Sequence, residues 1–97
     1  MSNNSLEKSR KEINEIDRKM AELFVQRMHA AKAVAEYKKE NGLAILDEAR
    51  ENEVIQRNSE LIEDETLREY YVRFIKSVMS VSRDYQSELT EGDKANG

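Results

Sequence analysis

Residues 6–38 read LEKSRKEINEIDRKMAELFVQRMHAAKAVAEYK, and this stretch decides the fold. Leu6, Ile13, Ile16, Met20, Leu23, Phe24, Ala31 and Val34 recur at helical spacing, the mark of one helix face turned toward a core. Three cations interrupt that stripe. Arg10 lies three residues before Ile13, Arg27 three after Phe24, and Lys38 four after Val34. Charges near a core face are seldom buried unless paired, because desolvation costs more than an exposed ion pair returns. The plain alternative is that each long side chain runs out from the stripe edge to water. Three together point instead to a bound anion. Lys8, Lys11, Arg18, Lys19, Lys32 and Lys39 lie mostly elsewhere on the helix, as solvated charges should.

The stretch also predicts a long helix. Asn4 and Glu7 stand at capping-box spacing, and Asn41-Gly42 supplies a stop, so helix 1 is expected over 4–40. Two shorter helices folded back on it would leave much of its stripe bare, and a second copy of the chain would cover it. Asp47 is a good N-cap for helix 2, expected over 47–63 with Val54, Ile55, Leu61 and Ile62 as its apolar positions. Asp64 can cap helix 3, expected over 64–89, whose broad apolar face includes Leu67, Tyr70, Tyr71, Phe74, Ile75, Val78, Met79, Val81 and Tyr85. Residues 90–97 are small and polar and are read as a disordered tail. The expected fold is therefore all-α: one long, one short and one medium helix in a single domain, forming an intertwined helical homodimer.

Composition agrees. The 97 residues include no Pro, no Trp, no Cys and three Gly, and 37% are charged, which suits a helical protein rather than a sheet. A chain this small hides only about 60% of its extended surface, so association would help it. Without Cys there are no disulfides and no thiolate metal site. The net charge of −4 argues against a general nucleic-acid surface. No apolar run approaches a signal peptide core or a membrane span, so no membrane partner and a cytoplasmic location are expected.

Spacing then assembles a pocket. At 1.5 Å per residue, Arg27 and Lys38 are roughly 16 Å apart along a straight helix and within about 20° in azimuth, so their side chains can converge. Arg10 is about 40 Å from Lys38 by the same rise and can join only from a partner chain. On helix 3 the row Tyr71, Ile75, Met79, Ser82, Gln86 ends in two hydrogen-bonding groups one turn apart. With Arg50 and Glu51 from the first turns of helix 2, the candidate pocket holds the partner's Arg10 with Arg27, Lys38, Asp47, Arg50, Glu51, Ser82 and Gln86. Taken alone, Glu51 reads as a dipole-complementing acid and Arg50 as a solvated base. Arginine forks suit carboxylates, Lys38 brings a point charge, Gln86 a neutral donor and Glu51 an acceptor for a hydroxyl. No nucleophile, Ser-His-Asp set or metal cluster accompanies them, and the lone His29 falls on a different face from Arg27. Donors without a nucleophile suit electrostatic stabilisation of developing charge rather than covalent catalysis.

From Leu6 to about Gln86 the chain resembles the all-helical AroQ class of chorismate mutase. Its most specific piece is Ile45-Leu46-Asp47-Glu48-Ala49-Arg50-Glu51, similar to the family's I-x-D-x-x-R-E pattern, flanked by Arg10 with Ile13 and Asp17, then Arg27, then Lys38 at the family's spacing. Helix 3 fits when Ile75 begins the pattern, which brings Ser82 and Gln86 onto the family's serine and glutamine. Phe74 offers a competing register that would bring Val81 and Tyr85 there. Arg83 departs from the family, whose members often have an apolar residue at that place.

The resemblance implies an intertwined dimer with shared sites and an isomerase that rearranges chorismate to prephenate, on the route to phenylalanine and tyrosine, without a cofactor or metal. It implies that the partner's Arg10 and Arg27 bind carboxylates with help from Ser82. Lys38 and Gln86 would donate to the ether oxygen, and Glu51 would take the substrate hydroxyl. The backbone at Asp47 and the side chain of Arg50 would complete the pocket. Lys38, Gln86, Glu51 and Arg27 are the expected catalytic residues. Such a site selects a chair-like conformer and stabilises a polar transition state. Two alternatives stand beside it: an isochorismate pyruvate lyase of the same fold, and a non-catalytic helical dimerisation or regulatory domain.

Overall fold

A computed structural model describes the backbone of residues 2–96 and the side chains of residues 4–90. Three helices account for the fold: α1 (Ser2–Glu40), α2 (Glu48–Leu61) and α3 (Glu65–Asn96), with no strand among the described residues. The chain is all-α, as its composition and periodicity predict. Among the described residues, no helix is long and apolar enough to cross a membrane.

Helix ends follow the local chemistry, with corrections. α1 begins at Ser2, so Asn4 lies within the helix rather than capping it. Its C-terminus is a Schellman turn. Leu43 N donates to Lys38 O (2.8 Å) and Gly42 N to Lys39 O (3.3 Å), while Gly42 sits at φ 65°, where a residue without Cβ carries no steric cost. Asp47 caps α2, its Oδ1 accepting from Arg50 N at 3.1 Å. α2 closes at Leu61, short of the expected Glu63, because Ile62 leaves the helical region at φ −91°, ψ 104°. The turn that follows is clamped by Arg68, whose Nη2 and Nε donate to the freed Ile62 carbonyl at 2.8 and 3.1 Å. Asp64 then caps α3, its Oδ1 accepting from Thr66 N (3.0 Å) and Thr66 Oγ1 (2.6 Å). These two hydrogen bonds favour the ionised form and hold the Asp64 carboxyl below its ordinary pKa.

α3 continues to Asn96, past the expected boundary at Leu89 and through most of the stretch read as a tail. Polarity removes an apolar face but does not itself stop i→i−4 bonding, and no Pro interrupts these residues. Gly97 lies outside the described residues.

The chain divides into two compact units, residues 1–30 and 31–97. In the first, α1 displays its stripe to solvent: Leu6, Ile13, Ile16, Met20, Leu23 and Phe24 are all exposed, and Met28 is buried. In the second, α2 packs on α3, and the buried residues are Ala31, Ala35, Ile75 and Met79 together with two polar side chains, Ser82 and Gln86. Asn58 helps to join the two helices, accepting from the Tyr71 hydroxyl at 3.3 Å and donating to its own helix at Val54 O (2.8 Å).

Candidate functional site

A small helical core has no structural need for two polar side chains, and burying them costs free energy unless they are paired. Ser82 and Gln86 are nevertheless 5% and 8% exposed, in line with the buried Ile75 and Met79. Val81, of the competing register, is 48% exposed, and Tyr85 is half-buried. Gln86 Nε2 donates to Ser82 Oγ at 3.1 Å, whereas Gln86 Oε1 is buried and meets no donor among the described residues. The nitrogen and oxygen of a carboxamide are interchangeable by a half-turn. Turned, the amide accepts from the Ser82 hydroxyl and aims an N–H where Oε1 now sits. A turn further on, Leu89 and Thr90 line a groove of about 270 Å³ with Lys32, Ala35, Glu36 and Lys39 of α1.

Lys38 is half-buried in the last turn of α1, and its Nζ donates to Ile45 O at 2.7 Å. The ammonium group thus ties the 43–47 loop, which carries the Asp47 cap, back to α1. An ammonium has three protons, so two remain for other acceptors. The Schellman turn at Gly42 and Leu43 makes this possible by ending the helix within a turn of Lys38, so that residue 45 lies within reach of its side chain.

Glu51 is also half-buried, and both of its carboxylate oxygens lie 2.6 Å from Nη1 of Arg83 on α3. Asp47 and Arg50 are exposed. Asp47 serves as a cap, and Arg50 turns along its own helix to Glu53 at 3.2 Å, sharing that carboxylate with Arg57 (2.9 Å). Of the eight residues singled out from the sequence, the 31–97 unit therefore contains six. Ser82 and Gln86 form a hydrogen-bonded pair, Lys38 and Glu51 are half-buried with partners of their own, and Asp47 and Arg50 face solvent. Arg10 and Arg27 belong to the 1–30 unit, where Arg10 is exposed and Arg27 half-buried. His29, also of the 1–30 unit, is exposed.

Two features escape a reading of residue types. The acceptor for Lys38 is a backbone carbonyl, which any residue at position 45 would supply. The partner of Glu51 is 32 residues away in sequence, and Arg83 stands out beforehand only as a departure from the family pattern.

A model of the chorismate mutase type II family matches residues 9–87, which takes in α1 from Ser9 onward, all of α2 and α3 as far as Ser87. The chain belongs to the chorismate mutase type II family. It is thus of the AroQ class, and chorismate mutase-type function follows in general terms. No curated protein and no solved structure gives a significant match to the chain. Within the type II mutase domain, the matched segment stops one residue after Gln86 and so includes the whole Ile75-Met79-Ser82-Gln86 row. It excludes Thr90 and the end of the groove beside it.

Proposed function

We propose that the protein is a chorismate mutase, an isomerase that converts chorismate to prephenate by intramolecular rearrangement in phenylalanine and tyrosine formation, working as a homodimer with shared sites. The observation that carries this reading is the buried Gln86 amide. One of its polar atoms bonds to Ser82 and the other meets no donor among the described residues, in a chain of this family. A buried polar group left unpaired costs about 1–3 kcal/mol, so its retention favours a ligand partner. The breaking ether C–O bond places negative charge on oxygen. A turned Gln86 amide and the two remaining Lys38 protons are donors suited to it. Because the amide is neutral, its donor role needs no displaced pKa.

The dicarboxylate needs guanidinium groups as well. Arg27 would supply one and the partner's Arg10 the other, with Ser82 assisting. Glu51 would accept the ring hydroxyl, and the Asp47 backbone and Arg50 would close the pocket, with Arg50 leaving Glu53 to do so. The exposed α1 stripe supports the two-chain arrangement, since a contiguous apolar face of this size on a lone chain marks an association surface.

Following chorismate absorbance with purified protein tests the proposal. The expected result is saturable turnover with prephenate as product and no added cofactor. Loss of chorismate no faster than in protein-free buffer, at micromolar protein, overturns it; release of pyruvate from isochorismate without chorismate turnover transfers the assignment to the lyase.

A further inference from the structure

The ion pairs Arg50–Glu53, Arg57–Glu53 and Arg73–Glu69 each stay within a turn of one helix. Arg83 instead reaches from α3 to Glu51 on α2, and the two side chains are 33% and 25% exposed. Stability is a weak reason for such a contact, because partly hydrated ion pairs return little. Its geometry suggests another. A single guanidinium nitrogen, Nη1, sits 2.6 Å from both Glu51 oxygens, so the flexible carboxylate is held at two points. Each oxygen keeps a second lone pair. Arg83 also follows Ser82 directly, so the helix turn that buries Ser82 and Gln86 sets the position of the cation as well.

We infer that Arg83 is a positioning residue: it fixes the Glu51 carboxylate as a pre-organised acceptor for a ligand hydroxyl and so sets the preference of the site for a hydroxylated cyclic dicarboxylate over its deoxy counterpart. This rests on the reading of the site given above. Without the cation, Glu51 regains its rotamers and turns toward water, and binding must then include the cost of ordering it. The contacts made by the two ligand carboxylates are unaffected, so the deoxy compound loses nothing.

Calorimetric titration with two probes tests this: a bicyclic dicarboxylate bearing one secondary ring hydroxyl, and the same compound with hydrogen in its place. Wild-type protein should prefer the first by at least about tenfold, the low end of the range for one hydrogen bond to a charged group. Glu51→Ala should abolish the preference. Arg83→Met should reduce it to about threefold or less while leaving affinity for the deoxy probe near wild type, which a merely structural role would not do. Should Arg83→Met lose its helical spectrum, Arg83→Gln carries the same comparison with the side-chain stem retained. A full preference in the arginine variants, or an equal loss of affinity for both probes, overturns the inference alone. Binding of neither probe by wild-type protein overturns it together with the mutase reading, and the absence of chorismate turnover identifies that case.

Discussion

In the proposed site, Lys38 would join two duties in one ammonium group. One proton holds Ile45 O at 2.7 Å, and the others are free to meet an oxygen that gains charge. Lys38→Ala should lower the chemical rate by about two to three orders of magnitude, the range for losing one oxyanion-type donor, while the helical spectrum persists. Near-normal turnover in single-turnover measurements would remove Lys38 from the chemistry. Gln86→Ala should act in the same direction but less severely, since the donor is uncharged. If Tyr85→Phe proves damaging and Gln86→Ala silent, the row ending at Gln86 is not the one that meets substrate. A third residue-scale effect concerns Asp64, whose carboxyl is held below its ordinary pKa by the Thr66 hydroxyl and then by the Thr66 backbone N–H. A depressed folded-state pKa contributes stability above the ordinary carboxylate range, and that contribution is lost as pH falls through the lowered value. In an NMR titration, Thr66→Val should move the Asp64 midpoint upward; an unmoved midpoint would mean that the hydroxyl does not bond to it.

Among the elements, the α1 terminus and the loop after it position Lys38 and Asp47. Gly42 holds φ 65°, and a Cβ there would meet nothing within 4 Å, so the cost of a side chain is conformational rather than steric crowding. Gly42→Ala should therefore destabilise the fold by about 1 kcal/mol, the typical cost of a left-handed alanine. Denaturant unfolding would measure it, and an unchanged midpoint would show that the turn is not needed. The Asn41-Gly42 stop and the Asp47 and Asp64 caps were legible because they depend on side chains acting within a few residues of their own position. The far end of α3 was not, since hydrophobic periodicity ends near Leu89 whereas backbone hydrogen bonding carries the helix to Asn96.

At the scale of the whole molecule, the exposed stripe of Leu6, Ile13, Ile16, Met20, Leu23 and Phe24 predicts dependence on a second chain. Unfolding midpoints should rise with protein concentration. A stable monomer at micromolar concentration in sedimentation would count against shared sites. The sharper measurement mixes Arg10→Ala and Lys38→Ala proteins, each nearly inactive, and lets them exchange by mild denaturation and refolding. In a mixed dimer one site has both residues intact and the other has both lesions. With random pairing of equal amounts, roughly one quarter of wild-type activity should return, an estimate that rests on two-fold symmetry. Mixed dimers proved by mass spectrometry but without recovery would assign Arg10 to its own chain or to no site.

By itself the sequence determined the all-α class, the order of three helices, the caps at Asp47 and Asp64 and the family, because each depends on local periodicity, local hydrogen bonding or ordered motifs. It also proposed the row that ends in Ser82 and Gln86, since residues three or four apart share a helix face whatever surrounds it. Only the tertiary structure decided that this row is buried rather than Val81, that Lys38 spends a proton on a backbone carbonyl, that Arg50 turns to Glu53, and that Arg83 meets Glu51. Each of these depends on which helix faces which and on how long side chains choose between competing partners. That choice is made by packing across 7 to 32 residues of sequence or by rotamer, and no residue type announces it.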